Sequence, residues 1–113
     1  MSQILLIDPD RAAAQKLGLA CLERGAGVVM AENLCEGVRT LLSEIVSLIA
    51  VDVARLRLTL REHTTLFDRV APGVPVVIVS RPDTPLESRV ALELAGFRGL
   101  VKPISVEDLL DKA

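Results

Sequence analysis

Ser47-Leu48-Ile49-Ala50-Val51-Asp52 is the stretch that decides the fold of this chain. Four consecutive apolar side chains, two of them β-branched, are followed directly by a carboxylate. This pattern is typical of a strand buried on both faces of a parallel sheet. Ligands of open parallel α/β sheets bind outside the carboxyl ends of the strands. Asp52 lies at such an end. Its chemistry therefore depends on which residues lie at the carboxyl ends of the other predicted strands.

Four further strands are predicted, at 3–7, 28–31, 74–80 and 99–102. Helical spacing of apolar residues predicts helices between them, at about 10–24, 34–45, 60–71 and 85–95, and a short last helix capped by Ser105. Alternation of strands and helices forces parallel pairing with right-handed crossovers. We therefore expect a flavodoxin-like α/β fold, a doubly wound five-stranded parallel sheet in the order 2-1-3-4-5.

Composition restricts the class of protein. The chain has 113 residues, enough for a single domain over 1–113, with 50% apolar residues but only two aromatic ones. A net charge of −2 without a basic block argues against direct binding of nucleic acid. No membrane-spanning run or signal peptide is present, which predicts a cytoplasmic location and no membrane partner. Cys21 and Cys35 are expected to be buried, reduced thiols.

Several local features carry their own predictions. Val38, Leu41, Leu42 and Ile45 follow the spacing of one buried helix face. Thr84, followed by Pro85 and Glu87, is typical of a capping box at the start of a helix. The only histidine, His63, is expected at the surface. Arg55 and Arg57 are interpreted as solvated loop charges or as positive charge beside a pocket.

Polar groups follow four of the five predicted strands: Asp8, Asp52, Ser80 and Lys102. In the order 2-1-3-4-5 these four strands are neighbours, so the four side chains would meet at one edge of the sheet. Lys102 is expected to pair with Asp52, because two unpaired carboxylates about 4 Å apart repel by about 4 kcal/mol at an effective dielectric constant near 20.

Over its whole length the chain resembles the receiver domain of bacterial two-component response regulators. The resemblance is carried by Asp8, Asp52, Ser80 and the pair Lys102-Pro103, together with the stretches 73–80 and 95–103. It implies that Asp52 accepts a phosphoryl group from a phosphohistidine. It further implies that Lys102 and Ser80 contact the phosphoryl group, that Asp8 and Asp52 help to hold Mg²⁺, and that Pro103 follows a cis peptide bond.

Three departures from the family pattern weaken these implications. Pro9 replaces the second acid, which is the usual direct metal ligand, so Mg²⁺ binding is expected to be weak or absent, with Asp10 as the nearest substitute. Gly99 replaces the aromatic residue that relays the signal, and Phe97 is poorly placed to substitute for it. The loop 53–58 also lacks the usual Pro and Gly.

Alternatives therefore remain open. The main one is a degenerate pseudo-receiver that acts as a phosphorylation-independent interaction module. A flavodoxin-like cofactor enzyme is a weaker one, because no Gly-rich phosphate cradle follows strands one and three. Less favoured interpretations of single residues are that Asp8 is a plain helix cap before Pro9, that Ser80 is a turn residue and that Lys102 is a solvated lysine.

The resemblance implies a signalling domain rather than an enzyme with a substrate of its own. Its implied partners are a histidine kinase or phosphotransfer protein and an output domain or partner protein, and the chain is expected to be excised from a longer protein. Partners, or a second copy in a homodimer, would meet the face of the fourth helix, fifth strand and fifth helix. That face would carry Leu86, Arg89, Val90, Glu93, Lys102, Glu107 and Asp108.

Overall fold

Five parallel strands form one sheet in the order β2-β1-β3-β4-β5, which confirms the predicted topology. The computed structural model describes residues 2–113. The strands are β1 (Ser2–Ile7), β2 (Ala26–Ala31), β3 (Leu48–Asp52), β4 (Val76–Ser80) and β5 (Arg98–Val101). The helices are α1 (Arg11–Glu23), α2 (Leu34–Ser43), α3 (Leu60–Val70), α4 (Leu86–Leu94) and α5 (Val106–Asp111), and a 3-10 turn (Val53–Arg55) follows β3.

The register aligns the carboxyl ends of neighbouring strands. Ile7 of β1 pairs with Val51 of β3, and Asp52 pairs with Val79 of β4. Ser80, the last residue of β4, pairs with Val101, the last residue of β5. Residues that close or follow these strands therefore lie side by side, as the sequence predicts.

The apolar core has two layers, one on each face of the sheet. On one face, alternate strand residues pack against α2, α3 and α4 through buried side chains such as Leu41, Phe67 and Leu92. On the other face, the intervening strand residues pack against α1 and α5 through Cys21 and Leu109. All five residues of β3 are buried, which is the expected result for a central strand covered on both faces.

The prediction of one buried helix face in α2 is wrong for its last two residues, Leu42 and Ile45. The helix stops at Ser43, and the next residue is extended, so Leu42 is 73% and Ile45 is 95% exposed. The buried positions are Gly37 and Leu41, because Gly37 packs directly against Ile7 of β1. The lack of a Cβ at Gly37 lets this turn of the helix approach the sheet closely.

Two burial predictions are also wrong. His63 is fully buried on the inner face of α3, where Nδ1 lies 2.9 Å from the carbonyl oxygen of Thr59 and the ring stacks on Phe67. Cys35 is exposed near the start of α2, whereas Cys21 is buried as expected, and both are free thiols. Burial raises the pKa of the Cys21 thiol.

The capping prediction for α4 is wrong, since Pro85 occupies the N-cap position and no side chain caps this helix. The Thr84 hydroxyl instead accepts a hydrogen bond from the backbone N–H of Arg81, 2.9 Å away, within the preceding turn. A capping box is present at α3, between Thr59 and Glu62. The predicted start of that helix near residue 60 is confirmed.

Candidate functional site

Four polar side chains follow adjacent strands at the carboxyl edge of the sheet. Asp52 and Ser80 are the last residues of β3 and β4, while Asp8 and Lys102 come directly after β1 and β5. The peptide bond between Lys102 and Pro103 is cis, as predicted.

Three of these four side chains form an ion cluster. The Lys102 ammonium nitrogen Nζ lies 2.7 Å from Oδ2 of Asp52 and 3.0 Å from Oδ2 of Asp8. Asp52 is fully buried and Asp8 is 6% exposed, whereas 23% of the Lys102 side chain remains exposed. The expected pairing of Lys102 with Asp52 is therefore present, and Asp8 shares the same cation.

The charge state of Lys102 follows from these contacts. Partial burial, the largest single effect, lowers the pKa of Lys102, but the hydrogen bonds and negative charges of Asp52 and Asp8 together outweigh it and raise the pKa above its ordinary value. The ammonium is thus held in its charged form across the physiological range. This one cation lies between the two buried aspartates.

The second oxygen of each carboxylate accepts a backbone hydrogen bond. Asp8 Oδ1 accepts from the N–H of Asp10 at 2.8 Å, and Asp52 Oδ1 accepts from the N–H of Ala54 at 2.8 Å. Each aspartate therefore stabilises the turn that follows its own strand. Because both ends of each carboxylate are engaged, the two side chains are fixed in orientation. The interpretation of Asp8 as the helix cap before Pro9 is wrong, because Asp10 occupies the N-cap position of α1.

The cluster offers a Mg²⁺ ion only two carboxylates, Asp8 and Asp52, and both are already paired with Lys102. Asp10 caps α1, with Oδ1 accepting from the N–H of Ala13 at 3.1 Å, and Pro9 has no side-chain oxygen to offer. Across residues 2–113, no three Asp, Glu, His or Cys side chains come together as a group that could hold a metal. Mg²⁺ demands near-ideal octahedral oxygen ligation, whereas the two available Oδ2 atoms face the Lys102 ammonium.

Ser80 lies beside the cluster without bonding to it. Its side chain is buried, and the hydroxyl donates a long hydrogen bond of 3.4 Å to the carbonyl oxygen of Leu100. The carbonyl oxygen of Ser80 accepts from the backbone N–H of Lys102 at 2.9 Å, which ties the end of β4 to the segment that carries the lysine.

Arg55 and Arg57 follow Asp52 in the 3-10 turn and the loop after it. Within the described part of the chain, neither forms an ion pair with an acid. Arg57 is exposed, in line with a solvated charge, whereas Arg55 is half-buried and its Nε has no hydrogen-bond partner among residues 2–113. Arg55 is thus less solvated than its loop position suggests.

A large open cavity of about 560 Å³ begins at Asp8 and Lys102. It continues between α1 and the segment after β5, and most of its walls are apolar: Leu17, Ala20, Pro82, Pro103, Ile104 and Val106. Sequence patterns did not indicate this cavity. It gives the ion cluster an approach from solvent.

Comparisons with known proteins agree with this architecture. No protein-family model matches the chain. The transcriptional regulatory protein GlrR of Escherichia coli K12 is 32% identical over 111 residues, which cover 96% of this chain and 24% of GlrR, so the chain spans about a quarter of that relative.

Two solved structures are similar over 99% of the chain. A response regulator receiver domain protein (CheY-like) from Methanospirillum hungatei has 26% identity and a TM-score of 0.76, with 90% of that chain covered. A response regulator from Burkholderia pseudomallei, solved with a phosphorylated aspartic acid, a calcium ion and citrate, has 24% identity and a TM-score of 0.82, with 66% of that chain covered.

Proposed function

Because this chain is a receiver domain of the response-regulator family, we propose that it is a phosphoryl-accepting switch with Asp52 as the acceptor. The observation that carries the proposal is the buried Asp52 carboxylate held against Lys102 at the carboxyl end of the central strand. A carboxylate is anionic at pH 7 and attacks without a general base. The domain thus acts in signalling rather than on a substrate of its own.

The donor in this proposal is a phosphohistidine on a histidine kinase or phosphotransfer protein. An Asp52 oxygen attacks phosphorus, and the new O–P bond forms as the P–N bond to the imidazole breaks. The imidazole nitrogen keeps the electron pair of that bond and takes a proton from solvent. The cavity offers the approach as far as Asp8 and Lys102, whereas Asp52 is fully buried and does not line it.

Lys102 supplies the positive charge of the transfer in this proposal. Its ammonium already contacts Asp52 Oδ2 and would follow the transferred group as a point charge on a flexible stem. Ser80 would donate to a phosphoryl oxygen in place of its long bond to Leu100. Asp8 and Asp52 remain the proposed ligands of a weakly bound Mg²⁺, with Asp10 turned away, and no step is assigned to the metal.

The proposed role extends to location and partners. Reduced Cys21 and Cys35 and a receiver fold support a cytoplasmic protein, and no helix in residues 2–113 is long and apolar enough to cross a membrane. We propose that residues 1–113 are one receiver domain of a longer protein. The output domain, a partner protein or a second copy would contact the face of α4, β5 and α5.

The proposal is tested by intact-mass measurement after incubation with acetyl phosphate, with and without Mg²⁺. A hydroxylamine-sensitive adduct of one phosphoryl group is expected in the wild type and in Asp10→Asn, because the Asp10 carboxylate caps α1, and its contact with Asp8 is made by the backbone N–H, which the substitution keeps. Asp52→Asn should give none. An adduct that persists in Asp52→Asn would overturn the assignment of the acceptor.

A second candidate function is a pseudo-receiver, an interaction module that works without phosphorylation. Pro9 and Gly99 favour it, because the first removes an acidic ligand and the second removes a relaying side chain. Absence of any adduct from the wild type under both conditions, in a sample that is folded by circular dichroism, would select this function instead.

A further inference from the structure

Strand β2 (Ala26–Ala31) forms one edge of the sheet, and no strand among residues 2–113 pairs with its outer side. It has six residues, none of which is charged or a proline, and its register with β1 is continuous, without a bulge. Edge strands of natural proteins usually carry a charge, a proline or a bulge that blocks pairing with another chain. The other edge strand, β5, is shorter, begins with Arg98 and is followed by Lys102 and Pro103. The edge at β2 is therefore the one that is open to a further strand.

The hydrogen-bonding groups of β2 alternate in direction along the strand. The carbonyl oxygen of Ala31 accepts from the N–H of Asp8, 3.0 Å away, so Ala31 turns its backbone groups toward the side of β1. In a strand, the N–H and C=O of one residue point to the same side, and those of the next residue point to the opposite side. The outward groups are therefore those of Ala26, Val28 and Met30. These three donors and three acceptors have no partner strand within the described part of the chain.

Exposed apolar side chains lie toward the two ends of this edge. Helix α1 runs back along β2: Gly18 packs on Val28, whose Cβ lies 3.6 Å from the position of a Cβ at residue 18. Arg11, at the start of the helix, lines a small cavity together with Met30. Leu22, one turn after Gly18, is thus placed toward the start of β2, whereas Met30 lies near its end. Leu22 is 53% exposed and Met30 is 45% exposed.

We propose that β2 pairs with β2 of a second copy of this chain, in a two-fold symmetric dimer that joins two five-stranded sheets. In an antiparallel pair, directly opposed residues exchange both of their hydrogen bonds. Only one register uses all of the outward groups, with Val28 opposite the partner's Val28 and Ala26 opposite the partner's Met30. A shift by two residues leaves one residue of each strand unpaired, and a shift by one opposes outward groups to inward ones. The hydrogen bonds thus fix the register.

This register also brings unlike charges together at both ends of the strand pair. Arg24 lies two residues before β2 and Glu32 directly follows it, so Arg24 of one copy faces Glu32 of the other. Within one chain, Arg24 pairs with Glu107, and Glu32 pairs with Arg11. All of these side chains are at least half exposed, and exposed ion pairs contribute little to stability. An exchange of partners on dimerisation is therefore inexpensive.

The apolar side chains complement each other in the same way. Leu22, near the start of β2 in one copy, meets Met30, near the end of β2 in the other, and the contact occurs twice. A two-fold interface requires a surface that is complementary to itself. The backbone groups, charges and apolar side chains of this edge meet that condition in one register, which identifies a second copy as the occupant. The contact lies at the sheet edge opposite to β5 and requires no phosphorylation of Asp52, so it goes beyond the proposed function.

The first measurement is sedimentation velocity of the unphosphorylated protein over a range of concentrations. A single strand pair with few side-chain contacts is smaller than the interfaces of stable dimers, so we expect a Kd on the order of 10–100 µM. In a mixture of ¹³C-labelled and unlabelled protein, a nuclear Overhauser effect between the Met30 methyl group of one copy and the Leu22 methyl groups of the other should report the register. Within one chain, these two side chains lie toward opposite ends of β2.

Exchange of charges tests the register further. Glu32→Arg and Arg24→Glu each place like charges opposite one another and should each weaken the dimer about tenfold, because two cross-strand pairs change from attraction to repulsion. The double variant Arg24→Glu/Glu32→Arg restores unlike charges and should recover the wild-type Kd to within about threefold. Glu93→Arg is the matched control, since it makes the same change at an exposed position of α4, and it should leave the dimer unchanged.

Four results would each overturn the proposal: a monomer at all concentrations up to about 500 µM, a Kd that Glu32→Arg leaves unchanged, a double variant as weak as the single ones, or a dimer that Glu93→Arg disrupts. None of these measurements involves phosphorylation. Failure here therefore leaves the role of Asp52 to its own test by acetyl phosphate, and loss of that role leaves the dimer to this one.

Discussion

Replacing Lys102 by methionine removes the cation between two buried carboxylates while keeping a long side chain in its place. At an effective dielectric constant near 20, distances of 2.7 and 3.0 Å correspond to gross attractions of about 6 kcal/mol to Asp52 and about 5.5 kcal/mol to Asp8. Desolvation of the charges offsets much of this sum. Removing one partner of a buried ion pair costs about 3–5 kcal/mol in measured cases.

We therefore expect Lys102→Met to lower the free energy of unfolding by about 3–4 kcal/mol at pH 7. For a domain of 113 residues this corresponds to a fall in melting temperature of about 10–15 °C.

The assay is urea unfolding followed by far-ultraviolet circular dichroism, because the chain has no tryptophan or tyrosine to report by fluorescence. Lys16→Met is the matched control, because Lys16 forms no ion pair within residues 2–113. It should change stability by less than about 0.5 kcal/mol.

In the wild type, the stabilisation contributed by the charge of Lys102 should be lost at alkaline pH. The pKa of Lys102 is raised in the folded state above 10.5, so the stability contributed by its charge is complete below about pH 10.5 and is lost as the pH rises through the folded-state value. The difference between wild type and Lys102→Met should therefore narrow in strong alkali. Equal stability of the two proteins at pH 7, or a difference that does not change with pH, would refute the electrostatic account of this cluster.

Two further predictions concern packing and cysteine exposure. Gly37→Ala should destabilise the domain by about 1–3 kcal/mol, because the new Cβ would overlap Ile7. Gly18→Ala in α1 should instead stabilise it by about 0.5–1 kcal/mol. Urea unfolding measures both changes in stability, and equal effects would contradict the close approach of α2 to the sheet at residue 37. Cys35 is exposed and should react rapidly with a thiol-specific disulfide reagent in the native protein. Cys21 is buried and its pKa is raised, so it should react only on unfolding. Rapid modification of both thiols in the native protein would contradict the packing of α1.

The order of the strands and the residues at their carboxyl ends could be predicted from local patterns in the sequence. The continuous apolar runs around Ile49 and Ile78 are typical of buried strands, and alternation with amphipathic helices leaves few parallel topologies. The segment after residue 53 was harder to interpret, yet its helix begins at Leu60 as predicted, because Thr59 and Glu62 form a cap from adjacent residues. The prediction of a cap at the start of α4 was wrong because the Thr84 hydroxyl accepts a hydrogen bond within the preceding turn instead.

Side-chain partners from distant parts of the chain could not be predicted in the same way. His63 is buried and Ile45 is exposed, the reverse of what their residue types suggest. The end of α2 and the packing of α3 on the sheet fix which positions face inward. Asp10 is near Asp8 in sequence but is committed to capping α1.

The chain by itself therefore determined the α/β fold and the meeting of Asp8, Asp52, Ser80 and Lys102 at one edge, since strand ends in a parallel sheet are brought together by topology alone. Only the tertiary structure decided that Lys102 is shared by two carboxylates and that Gly99 leaves an open cleft beside Ser80. Distances and empty space depend on how separate elements pack, and no local pattern of residues encodes them.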